Sequence, residues 1–271
     1  MKKLLTVAGS DSSGGAGIQA DLKTFAALGT YGMSCICAVT AQNTKGVSGA
    51  EAMSPALVKA QLEAVYDDVP PDGMKTGMLS SADIVDTVAG FLRERKGCPL
   101  VCDPVMVATS GDRLLDEDAV DVYRKKLIPL ADLLTPNMPE AEVLAGMAVT
   151  DEASMKEAAE RIRALGCGAV LIKGGHRGDS AGDILLDAKG FTEYPGEKIV
   201  TGNTHGTGCT LSAALAALLA EGHGLRDAVR LAKAYMTGAI RSAAVPGHSV
   251  GHGHGPVDHF WFYGDRWGKM E

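Results

Sequence analysis

The chain has 271 residues, 46% of them hydrophobic and 22% charged, with a net charge of −7. That length supports a sizeable core, and the composition is ordinary for a globular protein. The acidic balance, with no basic stripe to neutralise phosphates, excludes nucleic acid as the main partner. No apolar run approaches a membrane span, and the basic start Met1-Lys-Lys-Leu-Leu-Thr-Val-Ala-Gly is broken too early for a signal peptide. No membrane partner is expected. The six cysteines (35, 37, 98, 102, 167 and 209) include no Cys-x-x-Cys pair. They read as free thiols in a reducing compartment, hence a cytoplasmic protein.

Short apolar runs alternate with helical periods along the chain. Leu4–Ala8 reads as a strand, followed by a glycine loop and a helix over Ile18–Leu28 with Ile18, Leu22 and Phe25 on one face. Ser34–Thr40 is the next strand, and Ser54-Pro55 is a strong helix start. Gly73–Met78 is a strand, Ser80 or Ser81 caps the helix carrying Ile84, Val85 and Val88, and Leu100–Asp103 is a strand. Glu117–Leu127 reads as a helix, Leu133–Thr135 as a strand, and Pro139–Leu144 and Asp151–Leu165 as helices. Gly168–Lys173 is a strand, Ile184–Leu186 and Phe191–Tyr194 form a hairpin, and helices over Cys209–Glu221 and Leu225–Ala243 close the body. This alternation predicts an α/β fold, a mostly parallel sheet with helices on both faces, in a single domain over 1–271. The Asn43–Gly49 and Gly174–Gly182 segments are lid candidates.

In such sheets ligands gather at the carboxyl ends of the strands. Gly9, Gln42, Gly77-Met78, Asp103, Asn137, Lys173 and the turn Asn203-Thr204-His205-Gly206-Thr207-Gly208-Cys209 all fall there. The turn opens an apolar helix, so its N–H groups and the helix dipole suit an anion. A thiol at that helix start is expected to be held partly as thiolate, so Cys209 can take a proton from a hydroxyl. A tight loop with a packed cysteine is the alternative.

The loop Gly9–Gly17 fits neither a dinucleotide fingerprint nor a P-loop. Close backbone approach there, with Asp21, can wall a small-molecule pocket; a flexible turn is the alternative. The amide of Gln42 can both donate and accept, as an aminopyrimidine edge requires, although a surface glutamine reads the same way. Asp103 and Glu140 are two carboxylates of the kind Mg²⁺ takes beside phosphates, while Glu140 alone can serve a helix dipole. Lys173 can reach a nucleotide phosphate or simply face water. His248, His252, His254 and His259 are poorly spaced for a metal, so the Gly/His tail is expected to be structural. His205 is expected to orient rather than act as a base.

Together these stretches resemble the hydroxymethylpyrimidine/phosphomethylpyrimidine kinase family of the ribokinase-like superfamily. The resemblance rests on Gly9-Ser-Asp-Ser-Ser-Gly-Gly-Ala-Gly-Ile-Gln-Ala-Asp-Leu-Lys-Thr-Phe25, Val39-Thr-Ala-Gln-Asn-Thr44, Asp103-Pro-Val-Met-Val-Ala-Thr-Ser-Gly-Asp112 and Thr135-Pro-Asn-Met-Pro-Glu-Ala-Glu142. Ile172-Lys-Gly-Gly-His176, Asn203–Ser212 and Gly251-His-Gly-His-Gly-Pro256 complete it. It implies a ribokinase-like three-layer sandwich and ATP-dependent phosphorylation of 4-amino-5-hydroxymethyl-2-methylpyrimidine, then of its monophosphate, for thiamine biosynthesis. It also implies a homodimer. Gln42 would bind the pyrimidine, with Gly9, Asp21, Met78 and Val105 lining its pocket. Gly206, Thr207, Gly208 and Cys209 would form the anion hole, with Cys209 as base. Lys173, Asn137 and Thr204 would contact ATP, and Asp103 and Glu140 would belong to the Mg²⁺ and phosphate network. A pyridoxal-type kinase is the nearer alternative and a non-catalytic pyrimidine sensor the remoter one.

Overall fold

The computed structural model describes residues 1–106, 117–175 and 182–263. Nine strands form one sheet in the order β3 (Gly46–Ala52), β2 (Tyr31–Asn43), β1 (Lys3–Asp11), β4 (Gly73–Thr76), β5 (Leu100–Cys102), β6 (Leu133–Leu134), β7 (Ala169–Ile172), β8 (Asp183–Asp187) and β9 (Gly190–Tyr194). The strands from β2 across to β7 run parallel, while β3, β8 and β9 are antiparallel to their neighbours. The expected mostly parallel sheet is therefore present.

The helices start where the sequence offers a cap. Ser54 Oγ accepts from Leu57 N–H (3.2 Å) to open α2 (Pro55–Asp68), and Ser81 does the same for α3 (Ala82–Arg95). Asn137 and Glu140 form a reciprocal capping box at α5 (Met138–Ala145), as Asp151 and Ser154 do at α6 (Glu152–Arg163). The helix expected over 117–127 is α-helical only in α4 (Glu117–Val122). It widens into a π turn at Tyr123–Leu127 before Ile128–Leu130, where Pro129 cannot continue the ladder.

Period-two alternation divides the core. Leu5, Val7, Leu134, Val170 and Ile172 pack with α2 to α6 on one face. Leu4, Leu133, Ala169 and Leu171 pack on the other face with α1 (Gly17–Ala27), α7 (Thr207–Ala220) and α8 (Leu225–Ala243). The result is a three-layer α/β sandwich. The carboxyl ends of the parallel strands share one edge, and the chain crosses β1 on returning from β2 to β4, which opens a crevice there.

Most of Asn43–Gly49 belongs to the β2–β3 hairpin, with Gln42 opposite Val47 and Asn43 opposite Gly46. Ladder hydrogen bonds from β2 order a segment whose side chains are too small and polar to show a strand pattern. Of the other sequence motifs, 107–112, His176 and most of the Gly174–Gly182 loop lie outside the described residues.

Candidate active site

A cavity of about 840 Å³ occupies the crevice at the carboxyl ends of the strands. Gly9, Gln42, Met78, Val105, Asp103, Asn137, Glu140, Lys173 and Thr204 to Cys209 all line it. Residues scattered over two hundred positions meet because each terminates its own strand or opens a helix at that edge.

The cradle is the start of α7. Gly206 is its N-cap, with φ +79°, and a side chain there would run into the Gly15 carbonyl oxygen. Thr207 N–H reaches Thr204 O at 3.3 Å, while the Gly208 and Cys209 N–H groups lie in the first turn, where no intrahelical acceptor exists. Lys173 Nζ donates to Asp103 Oδ1 at 3.0 Å. A Cβ on Gly208 would stand 3.3 Å from that ammonium and 3.5 Å from Asp103 Oδ2, so the ion pair abuts the cradle. Ser212 Oγ–H donates to the same carboxylate (3.1 Å) and ties it to α7.

Burial opposes ionisation of Asp103, but Lys173 and Lys75, with hydrogen bonds from Lys173 and Ser212, hold its carboxyl below the usual range. Lys173 loses solvation, yet Asp103 and Glu140 keep it firmly charged. Glu140 differs: burial, and the nearby Asp103, push it up to about 7 despite Lys173. Its Oε2 accepts from Asn137 N–H at 2.8 Å, so Glu140 stands in the first turn of α5, as the helix-dipole alternative had it, and also caps that helix. A buried carboxyl short of positive charge, next to an ionised one on a phosphate-sized cavity, fits an added divalent cation. Among the described residues no group of three acidic, His or Cys side chains could hold a metal alone. Phosphate oxygens and water would complete such a set.

Gln42 lines the same cavity. Thr40 Oγ–H donates to Ser10 O (2.8 Å), with Gln42 Oε1 3.1 Å from the same hydroxyl oxygen, and Ser12 Oγ is bonded to both the Gln42 carbonyl (2.7 Å) and N–H (2.9 Å). Met78 packs its methyl against Gly9, where a Cβ would displace it. That contact explains the glycine directly: the thioether and the bare backbone share one wall.

Two expectations need correction. Asp21 does not line the cavity: it is fully buried, with both oxygens on Lys75 Nζ (3.0 and 2.9 Å) and Oδ2 also taking the Thr6 hydroxyl (2.6 Å). α1 turns that carboxylate into the sheet, where it is the one counter-ion bonded to Lys75 of β4 among the described residues. Lys75 was not singled out from the sequence, and its one signal is a charge inside the apolar strand Gly73–Thr76. The second correction is Cys209. Its thiol is pushed up to about 11, because burial and the Asp21 and Asp103 charges outweigh Lys75 and the Gly17 N–H. A helix start alone does not secure a thiolate.

His205 Nε2 lies 2.8 Å from Asp11 Oδ2, which links the first glycine loop to the cradle. Burial works against Asp11, but hydrogen bonds from His205, Ser13 and Ala16 bring it down to about 2.

The family model described as phosphomethylpyrimidine kinase matches residues 11–258. The chain is 51% identical over 267 residues to a hydroxymethylpyrimidine/phosphomethylpyrimidine kinase of Rhizobium meliloti, covering 98% of each. It is 53% identical to the thiamine biosynthesis bifunctional protein ThiED of Geobacter sulfurreducens, covering 94% of this chain; it spans only 52% of that longer protein. The crystal structure of a phosphomethylpyrimidine kinase from Clostridium difficile superposes with a TM-score of 0.80 at 47% identity, covering 89% of this chain and 100% of that one. A Staphylococcus aureus pyridoxal kinase in complex with AMP-PCP and pyridoxal superposes at 0.86 with 34% identity, covering 98% and 96%. With the model matching across nearly all of its length, the chain belongs to the phosphomethylpyrimidine kinase family.

Proposed function

We propose that this chain is an ATP-dependent kinase that phosphorylates the hydroxymethyl group of 4-amino-5-hydroxymethyl-2-methylpyrimidine and then extends the monophosphate to the pyrophosphate, in thiamine biosynthesis. The observation that carries this reading is the shared cavity: an N–H cradle flanked by Lys173 and Asp103, with Gln42 and Met78 in the same lining.

The hydroxymethyl oxygen attacks the γ-phosphorus, the bond to the β-bridging oxygen breaks, and ADP leaves. In the second round a phosphate oxygen of the monophosphate is the nucleophile. Such transfers need alignment and neutralisation of the equatorial oxygens more than covalent help. The Gly208 and Cys209 N–H groups supply fixed donors, and Lys173 supplies charge. Lys173, Asn137 and Thr204 hold ATP at the neighbouring strand ends. The Gln42 amide, which both donates and accepts, faces the aminopyrimidine edge of the acceptor. Gly9, Met78 and Val105 complete that wall.

Mg²⁺, held by Asp103 and Glu140 with the phosphates, would neutralise oxygens of the transferring group. The hydroxyl proton passes to Cys209, the titratable side chain on the cradle. With the thiol raised to about 11, only roughly one molecule in ten thousand carries thiolate near neutral pH. The base therefore acts through a minority form, and the loose transition state tolerates that. A cytoplasmic homodimer built from single-domain chains belongs to the same reading, and sedimentation tests the assembly.

The likeness to a pyridoxal kinase favours pyridoxal as a second acceptor. Mass spectrometry of products from the aminopyrimidine tests the main reading: monophosphate followed by pyrophosphate supports it, and monophosphate with no further step limits it to the first transfer.

A further inference from the structure

Residues 249–256 of the Gly/His-rich stretch after α8 are not among the cavity lining, yet they bond beside two parts of it. His254 N–H donates to Thr44 O (2.7 Å) and Gly253 N–H to Thr44 Oγ1 (3.1 Å), two residues beyond Gln42. Ser249 Oγ–H donates to Asn203 Oδ1 (3.0 Å), and the Gly255 carbonyl accepts from His205 N–H (3.0 Å), one residue before the cradle. Pro256 pairs with His205 as an isolated parallel bridge.

The loop after β1 closes the ring from the other side. Ser12 holds the Gln42 backbone, and Asp11 holds the His205 ring. The tail glycines are needed for contact: a Cβ at Gly253 would run into the Thr44 carbonyl, and one at Gly255 into the Asn203 amide oxygen. Alternating glycines thus let the backbone lie flat on both anchors, which accounts for a composition that metal binding does not explain.

We propose that residues 249–256 form a strap of positioning residues that fixes the acceptor wall at Gln42 relative to the cradle at Gly206–Cys209. The strap rests on the functional reading above and deepens it. It touches no reacting atom and works through hydrogen bonds from its backbone and from Ser249. In-line transfer makes that distance matter, because about 1 Å of misplacement can cost on the order of 100-fold in rate.

The test uses Gly253→Ala, with Thr44→Val as a milder variant and Thr44→Ser as the conservative control. Backbone hydrogen exchange is followed in peptides covering 40–46 and 203–208, alongside ADP formation with the aminopyrimidine. The strap predicts faster exchange in both peptides of Gly253→Ala, which are far apart in sequence. It also predicts kcat down about tenfold or more and a raised KM for the aminopyrimidine, with KM for ATP nearly unchanged. Thr44→Val falls between, and Thr44→Ser matches the parent. Faster exchange confined to 40–46, or a folded Gly253→Ala with unaltered kcat, overturns the strap. Should the parent chain form no ADP at all, the functional reading falls, and exchange alone decides the strap. If Gly253→Ala does not fold, the same two peptides in Thr44→Val decide it.

Discussion

Lys173 Nζ and Asp103 Oδ1, seventy residues apart in sequence, form a 3.0 Å ion pair beside the first turn of α7. The pair sits where two parallel strands end next to a helix start, so charge of both signs is fixed against one set of N–H donors. Replacing Lys173 by Met removes the only cation hydrogen-bonded to Asp103 among the described residues. We expect kcat to fall on the order of 100-fold, the scale of losing one transition-state donor. KM for ATP rises as well, and steady-state kinetics with varied ATP separates the two effects. Unchanged ATP kinetics would remove Lys173 from the nucleotide site.

Cys209→Ala is expected to lower kcat far more than it changes the KM for the acceptor. Since the thiol is raised to about 11, the rate limited by chemistry should climb with pH across the alkaline range in the parent. In Cys209→Ala that climb should vanish. A parent profile that is flat from about pH 7 to about pH 9 contradicts a thiolate base.

Much of this arrangement was legible in the sequence. The periodicity and the Ser54-Pro55 signal gave α2, and the helix expected at Leu225–Ala243 is α8 with the same ends. The glycine turn before an apolar helix pointed to the cradle because N–H groups at helix starts are a local property. Long-range effects were not legible. β3 is ordered by its neighbour rather than by its own Gly- and Ala-rich residues, and Lys75 meets Asp21 only after α1 folds onto the sheet. The Cys209 thiol failed the expectation for a similar reason: the dipole is encoded next door, and the burial that outweighs it comes from segments far away.

Lys75→Met leaves Asp21 buried without its cation, which is expected to cost about 3–5 kcal/mol. The double variant Lys75→Met, Asp21→Leu removes both charges and should recover part of that loss. Urea unfolding of the parent and the two variants checks this. Equal destabilisation in the single and double variants would contradict a charged pair.

Gln42→Leu should raise the aminopyrimidine KM about tenfold or more, since one lost hydrogen bond with a buried polar partner costs about 1–3 kcal/mol. Pyridoxal, which presents no aminopyrimidine edge, should lose much less. A parallel loss on both acceptors would point to a collapse of the wall rather than a lost contact.

His259 is buried with Nε2 3.1 Å from Thr210 Oγ1, and burial with the nearby Lys23 lowers it to about 4. The folded state therefore favours the neutral ring. The unfolded chain takes up a proton as pH falls below about 6.5 while the folded chain does not, so stability declines between there and about pH 4. The full effect is up to about 3 kcal/mol. Tm measured from about pH 7 to about pH 5 should drop more steeply for the parent than for His259→Gln.

The most direct measurement couples ADP release to a spectroscopic readout with hydroxymethylpyrimidine, its monophosphate and pyridoxal supplied in parallel. Robust kcat/KM on both pyrimidines, exceeding that on pyridoxal, is the predicted result. ADP release with pyridoxal alone would contradict it.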